Sequence, residues 1–554
     1  MRLFVTLFIS LLFILPPSYA QKRPYPDWLS HAVFYQIYPQ TFKDSNADGV
    51  GDLQGIISSL DYLQGLGINA IWLCPIYESP FCDAGYDVAD YYKVAPRYGT
   101  NEEAEQLFSE AHKRGIKVIM DFVVGHTSEE HPWFKASARK EGKYKNWYIW
   151  TDDNWRIPAE YKGQFIVGYG PRNGAFMTNY FFCQPKLNFG FPAEELKYDW
   201  QLPVDHPDVV ALKSEMKNIL KFWLDKGADG FRVDMASSAG KDFWTDVRQW
   251  FDQSHPQALL ISEWGEPQEA IASGFHADFM HWFRGYEDLY HKPWFHQNDT
   301  SQHSFFEAAG KGNITTFLQA FEEQYNAIDG QGFISIPVDN HDMVRVRNYG
   351  RSEQDLAVIY AFQFTFPNIP FVYYGDEIGM FQQPFDDLLA VEGAFKTRSG
   401  NRTPMQWNAS ANWGFSSAEK SSLYLPVPDD PASPTVEEAM KRKGSLYEVV
   451  KRLTELKKSE QALGLEADYE ILYAKTDAYP LIYTRTMGQE QILVVLNPSA
   501  EEVEVTVPVN GKRKWKALMG SGVKMNFDRG ATAINCKGQS FQIFKSRLRP
   551  KFIL

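Results

Sequence analysis

The feature that most constrains the fold is a series of eight short apolar segments, rich in β-branched and aromatic residues, separated by longer stretches. Some of those stretches, such as 102–114 and 208–226, have the amphipathic periodicity of helices. Continuous apolar strands that alternate with helices predict a parallel sheet covered on both faces, and eight such units predict a (β/α)₈ TIM barrel. The predicted strands are 32–38, 70–76, 117–124, 230–235, 258–264, 277–283, 333–338 and 369–375.

Two further units interrupt or follow this pattern. Residues 127–205 separate the third and fourth predicted strands, and they are rich in Trp, Tyr, Asn and Gly, which predicts an inserted loop-rich lobe, domain B. After residue 464 the pattern changes to alternating strands, at 481–486, 491–497 and 502–508, which predicts a C-terminal antiparallel β-sheet domain, domain C, at 465–554. The barrel, domain A, then comprises residues 21–126 and 206–464.

The N-terminus has the pattern of a secretory signal peptide. A short positive start, an apolar run at 3–15 and small residues before position 21 predict cleavage after residue 20. The run is too short to span a bilayer, so we expect a secreted or periplasmic protein with no membrane anchor after cleavage. Four cysteines could pair in such a compartment, but at this chain length buried free thiols are the expectation. They are Cys74, Cys82, Cys183 and Cys536.

Charge and composition restrict the partners. The chain of 554 residues carries 56 basic and 69 acidic side chains, a net charge of −13, which argues against nucleic acid as a partner. Aromatic residues make up 15% of the sequence, and they either fill a large core or present flat rings on which sugars stack. We expect a monomer or a weak homodimer.

Three predicted strands run into carboxylates. The fourth ends at Asp234, the fifth at Glu263, and the seventh runs into Asp342, with Arg232 and His341 beside them. Strand ends meet at one face of a barrel, and buried anions are costly, so their gathering indicates a use. Each carboxylate alone is equally consistent with a helix cap. Two carboxylates that flank a glycosidic bond are what glycoside hydrolysis requires.

Seven ordered segments carry a resemblance to α-glucosidases of the α-amylase superfamily, glycoside hydrolase family 13. They are VFYQIYP at 33–39, GYDVAD at 85–90, DFVVGH at 121–126, GFRVD at 230–234, Glu263, NHD at 340–342 and YYGDEIG at 373–379.

By this resemblance Asp234 is the nucleophile of a retaining double displacement, Glu263 is the acid/base, and Asp342 holds sugar hydroxyls. Arg232 lies on the same strand face as Asp234 and is expected to keep it ionised.

The resemblance also implies a pocket for a small oligosaccharide. Tyr86 would stack on the terminal glucose, and His126 and His341 would bind its hydroxyls. Asp83 and Arg402 would pair to close the far end of the pocket. Arg402 begins the segment RTPMQW, which is shared with exo-acting α-glucosidases and trehalose synthases. A closed pocket implies removal of one glucose at a time from maltose or maltooligosaccharides.

A loop after the first predicted strand has oxygen-bearing residues at alternate positions. Glycines between them permit a tight turn, and this pattern suits a hard cation, Ca²⁺ first and Mg²⁺ second. Family members bind a metal with the matching set, so a structural site is expected. The alternative is a solvated turn rich in Asp and Asn. The expected ligands are Asp44, Asn46, Asp48, the backbone carbonyl of Val50, and Asp52.

Three positions depart from the family pattern, and they affect the substrate rather than the chemistry. Gly125 stands where most relatives have Asn, and Lys186 stands where glucosidases usually have Asp. Met235 follows the nucleophile where enzymes selective for α-1,6 links usually have Val, which argues against an isomaltase-like preference.

Another hydrolase of the α-amylase type remains an alternative at the level of sequence, and so do two alternatives to hydrolysis. A trehalose synthase or sucrose isomerase would form the same intermediate and transfer it to a sugar instead of water. A catalytically inactive interaction subunit is the other alternative, although such chains carry a membrane anchor and lose residues of the triad.

Overall fold

The computed structural model describes residues 22–280, 289–290, 304–309, 312–348, 350–384, 398–509, 514–528 and 530–548. The predicted signal peptide at 1–20 and the last three residues of the predicted sixth strand, 281–283, lie outside the described residues. No helix among the described residues is long and apolar enough to cross a membrane.

The barrel prediction is confirmed. Eight strands pair in parallel in the order β7-β6-β5-β4-β3-β2-β1-β8, and each lies inside its predicted range. The ring closes between β7 and β8, where Ile369 N donates to Ile334 O at 3.2 Å. The strands are β1 Phe34–Ile37, β2 Ala70–Leu73, β3 Lys117–Val123, β4 Gly230–Asp234, β5 Leu259–Ser262, β6 Ala277–Phe279, β7 Phe333–Ser335 and β8 Phe371–Tyr373.

Helices cover the outside of this ring and follow the amphipathic segments of the sequence. Asn101–Lys113, for example, begins with a capping box in which Thr100 and Glu103 satisfy each other's backbone N–H groups. The other α-helices are Pro39–Phe42, Leu53–Ser58, Leu60–Leu66, Pro132–Ala138, Pro207–Asp225, Lys241–Ser254, Pro267–Ser273, Ile314–Ile328, Glu353–Thr365, Val436–Lys441 and Leu446–Ser459.

Aromatic rings fill the barrel interior below the strand ends. The Trp72 ring packs against Phe279 and Phe371, with ring centroids 5.5 and 5.9 Å away, and Phe34 stacks on Phe371 at 4.4 Å. This apolar layer is the floor on which the polar side chains of the strand ends lie. Much of the aromatic surplus therefore belongs to the core.

The segment between β3 and the helix Pro207–Asp225 contains short 3₁₀ turns and one two-stranded pair, Phe165–Ile166 with Phe176–Met177. It joins the barrel through an isolated bridge between His126 and Lys186. The lobe has its own aromatic packing, in which Phe134 contacts Trp150 at 5.6 Å between ring centroids.

A disulfide also ties this lobe to the barrel, and the expectation of four free thiols is therefore wrong. Cys82, in the loop after β2, bonds to Cys183, 101 residues later, whereas Cys74 and Cys536 are free and buried. Sequence spacing does not show this pairing, because it depends on how the lobe folds back onto the barrel. In the chain-entropy model, closing a loop of about 100 residues stabilises the fold by about 4.7 kcal/mol.

The C-terminal sheet is antiparallel, with the order β9-β10-β11-β14-β12 and with β13 also paired to β14. Buried Arg485 joins it to the barrel by donating to the carbonyls of Thr365, Gly464 and Ala467. The strands are β9 Asp468–Lys475, β10 Ala478–Met487, β11 Glu490–Asn497, β12 Val503–Val507, β13 Lys516–Asp528 and β14 Ala531–Arg547.

Candidate active site

The register of β4 and β5 brings the first two predicted catalytic carboxylates together. Val233 pairs with Ser262, so the next residues, Asp234 and Glu263, leave the two strands side by side. The close approach of these strands requires Gly230, because a Cβ there would lie 2.2 Å from the Leu259 carbonyl oxygen.

Arg232 holds three carboxylates at once. Its Nη1 donates to Asp121 Oδ1 at 2.9 Å and to Asp234 Oδ1 at 3.0 Å, and its Nη2 lies 2.7 Å from Glu263 Oε2. The guanidinium is buried and lies 4.9 Å above the Trp72 ring. The predicted contact between Arg232 and Asp234 is therefore present, and Glu263 shares the same cation.

In this cluster three carboxylates share one cation, the Arg232 guanidinium. Burial and the neighbouring Glu263 raise the pKa of Asp234 well above its usual range, although Arg232 opposes the shift. Burial likewise raises the pKa of Asp121 to about 6 against the pull of Arg232. The expectation that Arg232 alone keeps Asp234 ionised is therefore too simple, because burial and the neighbouring carboxylate of Glu263 oppose the arginine.

The third carboxylate, Asp342, has the opposite balance. Its Oδ1 accepts from Arg398 Nη1 at 2.9 Å and from Arg402 Nη2 at 2.8 Å, and its Oδ2 lies 3.2 Å from His341 Nε2. Burial raises the pKa of Asp342, but His341 and these two arginines together outweigh it, and the net pKa lies well below the usual range. Asp342 is therefore ionised at neutral pH.

The predicted pair of Asp83 and Arg402 is wrong in its second member. Asp83 Oδ1 instead accepts from Arg398 Nη2 at 2.8 Å, and Arg402 donates to Asp342 and to the His341 carbonyl oxygen. Sequence reasoning missed Arg398 because it lies four residues before the recognisable segment RTPMQW. The only available signal was a second arginine close to that segment.

Tyr86 lines the pocket, and the buried His341 lies behind it. Their rings stack with 5.4 Å between centroids, and Tyr86 Oη bonds to Asp121 Oδ2 at 2.9 Å and to His341 Nε2 at 2.7 Å. Gln36 Nε2 lies 2.7 Å from His341 Nδ1, so Nδ1 accepts and Nε2 carries the hydrogen. Burial lowers the pKa of His341 to about 3, which keeps the ring neutral.

His126 is neutral as well, and the protein occupies both of its nitrogens. Nε2 donates to the Tyr86 carbonyl oxygen at 3.0 Å, and Nδ1 accepts from Asn179 Nδ2 at 3.0 Å. Burial lowers the pKa of His126 to about 4. His126 lines the pocket, but in this arrangement it orients the Tyr86 backbone.

Asn179 comes from domain B and occupies space that Gly125 leaves open. A Cβ at position 125 would lie 2.6 Å from Asn179 Nδ2 and 2.7 Å from Ser238 Cβ, and Ser238 Oγ donates to Asn179 Oδ1 at 3.1 Å. Gly125, which departs from the Asn of most relatives, therefore leaves the space that the side-chain amide of Asn179 occupies. Asn179 was missed by sequence reasoning, because nothing in its neighbourhood indicates this contact.

Some of these residues line one pocket, in which Asp234, Glu263 and Asp342 meet. Its mouth carries the half-exposed Tyr180, together with Met235 and Trp264. Lys186 is not among the lining residues, and burial lowers the pKa of its amine. The pocket is lined by Asp83, Tyr86, His126, Tyr180, Gln184, Asp234, Met235, Ser237, Glu263, Trp264, Asp342 and Arg398.

The predicted metal loop is folded by its own hydrogen bonds. Asp44 accepts from the backbone N–H groups of Asn46, Ala47 and Gly49, and Asn46 and Asp48 each accept from the N–H two residues on. Asp52 caps the helix Leu53–Ser58. Within the described ranges, no group of three or more His, Cys, Asp or Glu side chains is arranged to hold a metal. The oxygen set suits Ca²⁺, but its side chains do not converge, so the calcium site stays a prediction.

Two family models match this chain. Residues 36–465 match the catalytic domain of α-amylase, and residues 469–528 match the C-terminal domain of maltogenic amylase. The chain belongs to the α-amylase family, glycoside hydrolase family 13. It is a glycoside hydrolase.

Its curated relatives include glucosidases that match nearly end to end. A glucan 1,6-α-glucosidase of Streptococcus pneumoniae serotype 4 is 32% identical, over 90% of this chain and 96% of the relative. An oligo-1,6-glucosidase of Parageobacillus thermoglucosidasius is 29% identical, over 94% and 99%.

Solved structures of this family share the architecture but differ in reaction. A trehalose-6-phosphate hydrolase from Bacillus licheniformis has a TM-score of 0.77 at 26% identity, over 94% of this chain and 100% of that one. A trehalulose synthase from Pseudomonas mesoacidophila has a TM-score of 0.76 at 25% identity, with the same coverage.

The Gly125 vacancy generates a test. Gly125→Ala should destabilise the fold by about 1–3 kcal/mol, the usual cost of overpacking, and should raise KM because the added methyl displaces Asn179 from His126. Thermal melts and steady-state kinetics measure the two effects. The matched control is Gly65→Ala on the exposed face of the helix Leu60–Leu66, where no atom lies within 4 Å of the added carbon. A Gly125→Ala enzyme with unchanged melting temperature and KM would contradict the packing argument.

Proposed function

We propose that this enzyme is a retaining, exo-acting α-glucosidase that releases glucose from short α-glucosides such as maltose and maltooligosaccharides. One observation carries the proposal. Asp234 and Glu263 share the Arg232 guanidinium at the bottom of a pocket whose far end is closed by Asp83 and Arg398. Retaining glycosidases need two carboxyl groups about 5–5.5 Å apart, and a shared cation favours such a short separation.

The reaction proceeds in two displacements. Asp234 attacks the anomeric carbon of the terminal glucose while Glu263 protonates the glycosidic oxygen. The bond between that carbon and that oxygen then breaks. The products are a glucosyl ester on Asp234 and a free leaving sugar. Water then attacks the same carbon and gives its proton to Glu263, the ester bond breaks, and α-glucose leaves with Asp234 restored as a carboxylate.

The electrostatics of the pocket support this division of roles. Arg232 contacts both carboxylates, so it can stabilise Asp234 as an anion when Asp234 attacks and Glu263 as an anion after Glu263 has given up its proton. Asp342 stays anionic between two arginines, which suits a group that accepts hydrogen bonds from sugar hydroxyls and stabilises a developing oxocarbenium ion.

The preferred linkage has two candidates. Met235 at the pocket mouth favours α-1,4 substrates over α-1,6 by the family pattern described above. The two glucosidases described above as relatives, which are named for α-1,6 linkages, favour that linkage as a second candidate. Transfer of the glucosyl group to a sugar instead of water remains an alternative outcome of the same intermediate, as the trehalulose synthase among the solved relatives illustrates.

Export to the periplasm or the medium is also part of the proposal. The disulfide between Cys82 and Cys183 supports an oxidising compartment, because such bonds seldom persist in the cytosol. A net charge of −13 and a pocket built for a neutral sugar favour a small oligosaccharide as partner.

Substitution of the two carboxylates tests the mechanism. Asp234→Ala should abolish glucose release, whereas Glu263→Gln should lower kcat on maltose by about 10²–10⁴-fold, the usual size of general acid–base catalysis. The Glu263→Gln loss should be smaller on an aryl glucoside whose leaving group needs no proton. Asp199→Ala, at an exposed position in domain B, is the control. Proton NMR should show α-glucose first; a β-product, or an active Asp234→Ala enzyme, would refute the proposal.

A substrate panel tests the linkage. The ratio of kcat/KM on maltose to that on isomaltose should exceed one, and Met235→Val should lower this ratio because a shorter side chain leaves more room at the pocket mouth. Sucrose, trehalose and maltose at high concentration, analysed for new disaccharides, separate hydrolysis from transfer. Met440→Val, at an exposed position on the helix Val436–Lys441, should leave the ratio unchanged. A wild-type ratio below one would assign the α-1,6 preference instead.

A thermal melt tests the calcium prediction. After exhaustive chelation, adding Ca²⁺ at 100 times its dissociation constant should stabilise the fold by about 2.7 kcal/mol and raise the melting temperature. Asp48→Ala should remove this response, because it deletes one of the expected ligands. The rest of the fold should be little affected, since Asp48 is exposed and makes its hydrogen bond inside the loop. Identical melting temperatures with and without Ca²⁺ would reject the site, and Mg²⁺ in a parallel melt distinguishes the two ions.

A further inference from the structure

A loop of domain B, residues 179–184, closes on itself at the edge of the pocket; we call it the clamp loop. Asn179 N donates to Gln184 O at 2.9 Å, and Phe181 N donates to Gln184 Oε1 at 2.9 Å. The loop therefore has a defined shape, and the Gln184 side chain is built into it.

Two neighbouring residues of the clamp loop attach to two neighbouring residues of the barrel. Cys183 bonds covalently to Cys82, and Gln184 Nε2 donates to Asp83 Oδ2 at 2.8 Å. The backbone N–H groups of Cys82 and Asp83 are held in turn by the buried carboxylate of Asp87, each at 2.9 Å. The disulfide thus lies next to the contact that orients Asp83.

Asp83 connects the clamp loop to the other charged residues of the pocket. Its second oxygen binds Arg398, and Arg398 also donates to Asp342, so Gln184, Asp83, Arg398 and Asp342 form one continuous chain of hydrogen bonds. The Phe181 ring lies 5.9 Å from the Arg398 guanidinium. Loss of the clamp would free the far end of the pocket, where the glucose unit must be recognised.

The acid pair is held from within the barrel. Asp234 and Glu263 are bound by Arg232, which is anchored on Asp121 and the Trp72 ring. The carboxylates that form and break bonds therefore have a different main cation from the Arg398 to which the clamp loop is linked.

Resting on the proposed function, we infer that the Cys82–Cys183 disulfide and Gln184 are positioning residues that set the affinity of the pocket for the glucose unit. Reduction of the disulfide by a dithiol weakens substrate binding more than it slows the chemical step. In that reduction the S–S bond breaks, the two sulfurs gain two electrons and two protons, and the dithiol becomes a cyclic disulfide. The enzyme therefore binds its substrate more tightly under oxidising conditions than under reducing conditions.

Steady-state kinetics on maltose separate binding from chemistry. The Cys82→Ser/Cys183→Ser double variant, and the wild-type enzyme after treatment with dithiothreitol, should each show KM raised about tenfold, with kcat within threefold of the oxidised wild type. Dithiothreitol should not change the double variant further. Cys536→Ser, which removes a buried free thiol of domain C, should respond to dithiothreitol as the wild type does.

Gln184→Ala removes the hydrogen bond to Asp83 while the disulfide stays intact. This variant tests the inference even if the double cysteine variant fails to fold. It should also raise KM about tenfold at nearly constant kcat. The matched control is Gln201→Ala, a buried glutamine of the same lobe whose Oε1 accepts from the backbone of Lys197 and Tyr198 away from the pocket. Melts of every variant fix an assay temperature at which all are folded.

Calorimetric binding of glucose distinguishes this inference from the proposed function. A weaker affinity for glucose in Gln184→Ala and in the reduced enzyme supports the clamp whether or not maltose is the right substrate. If KM and glucose affinity stay unchanged, or if kcat falls while KM does not, the inference is overturned. If Asp234→Ala remains active, the proposed function fails instead.

Discussion

The site depends on one buried cation that holds several carboxylates at the top of the barrel. Arg232 binds Asp121, Asp234 and Glu263 and rests on the Trp72 ring, so it repays part of the desolvation cost of all three anions. The register of the strands makes this possible, because Asp121 pairs with Arg232 across β3 and β4, and Asp234 and Glu263 follow paired residues of β4 and β5.

A second set of charges in the pocket has as many cations as carboxylates. Asp83 and Asp342 are connected through Arg398, which comes from a distant part of the chain, and Asp342 receives Arg402 as well. There two arginines bind Asp342, which stays ionised, whereas burial and the neighbouring Glu263 raise the pKa of Asp234. The two neighbouring groups of acids therefore differ in proton affinity, because their carboxylates share different numbers of cations.

Domain B contributes to the pocket by filling spaces and by fastening loops. Asn179 enters the space above Gly125 and fixes one nitrogen of His126, and the disulfide at Cys183 brings Gln184 to Asp83. Both contacts join residues more than fifty positions apart, and none of these residues belongs to a regular helix or strand. Both contacts attach the pocket wall to the barrel beneath it.

The sequence by itself determined the eight barrel strands, the C-terminal sheet and the carboxylates at the strand ends, because periodicity and strand-end placement are local properties of the chain. It also indicated that Arg232 and Asp234 share a face, since that follows from alternation along one strand. The tertiary structure decided which residues meet across loops: Arg398 instead of Arg402 beside Asp83, a disulfide in place of two free thiols, and Asn179 beside Gly125. Such contacts depend on how a lobe of irregular structure folds back onto the barrel, and no local pattern in the sequence encodes that path.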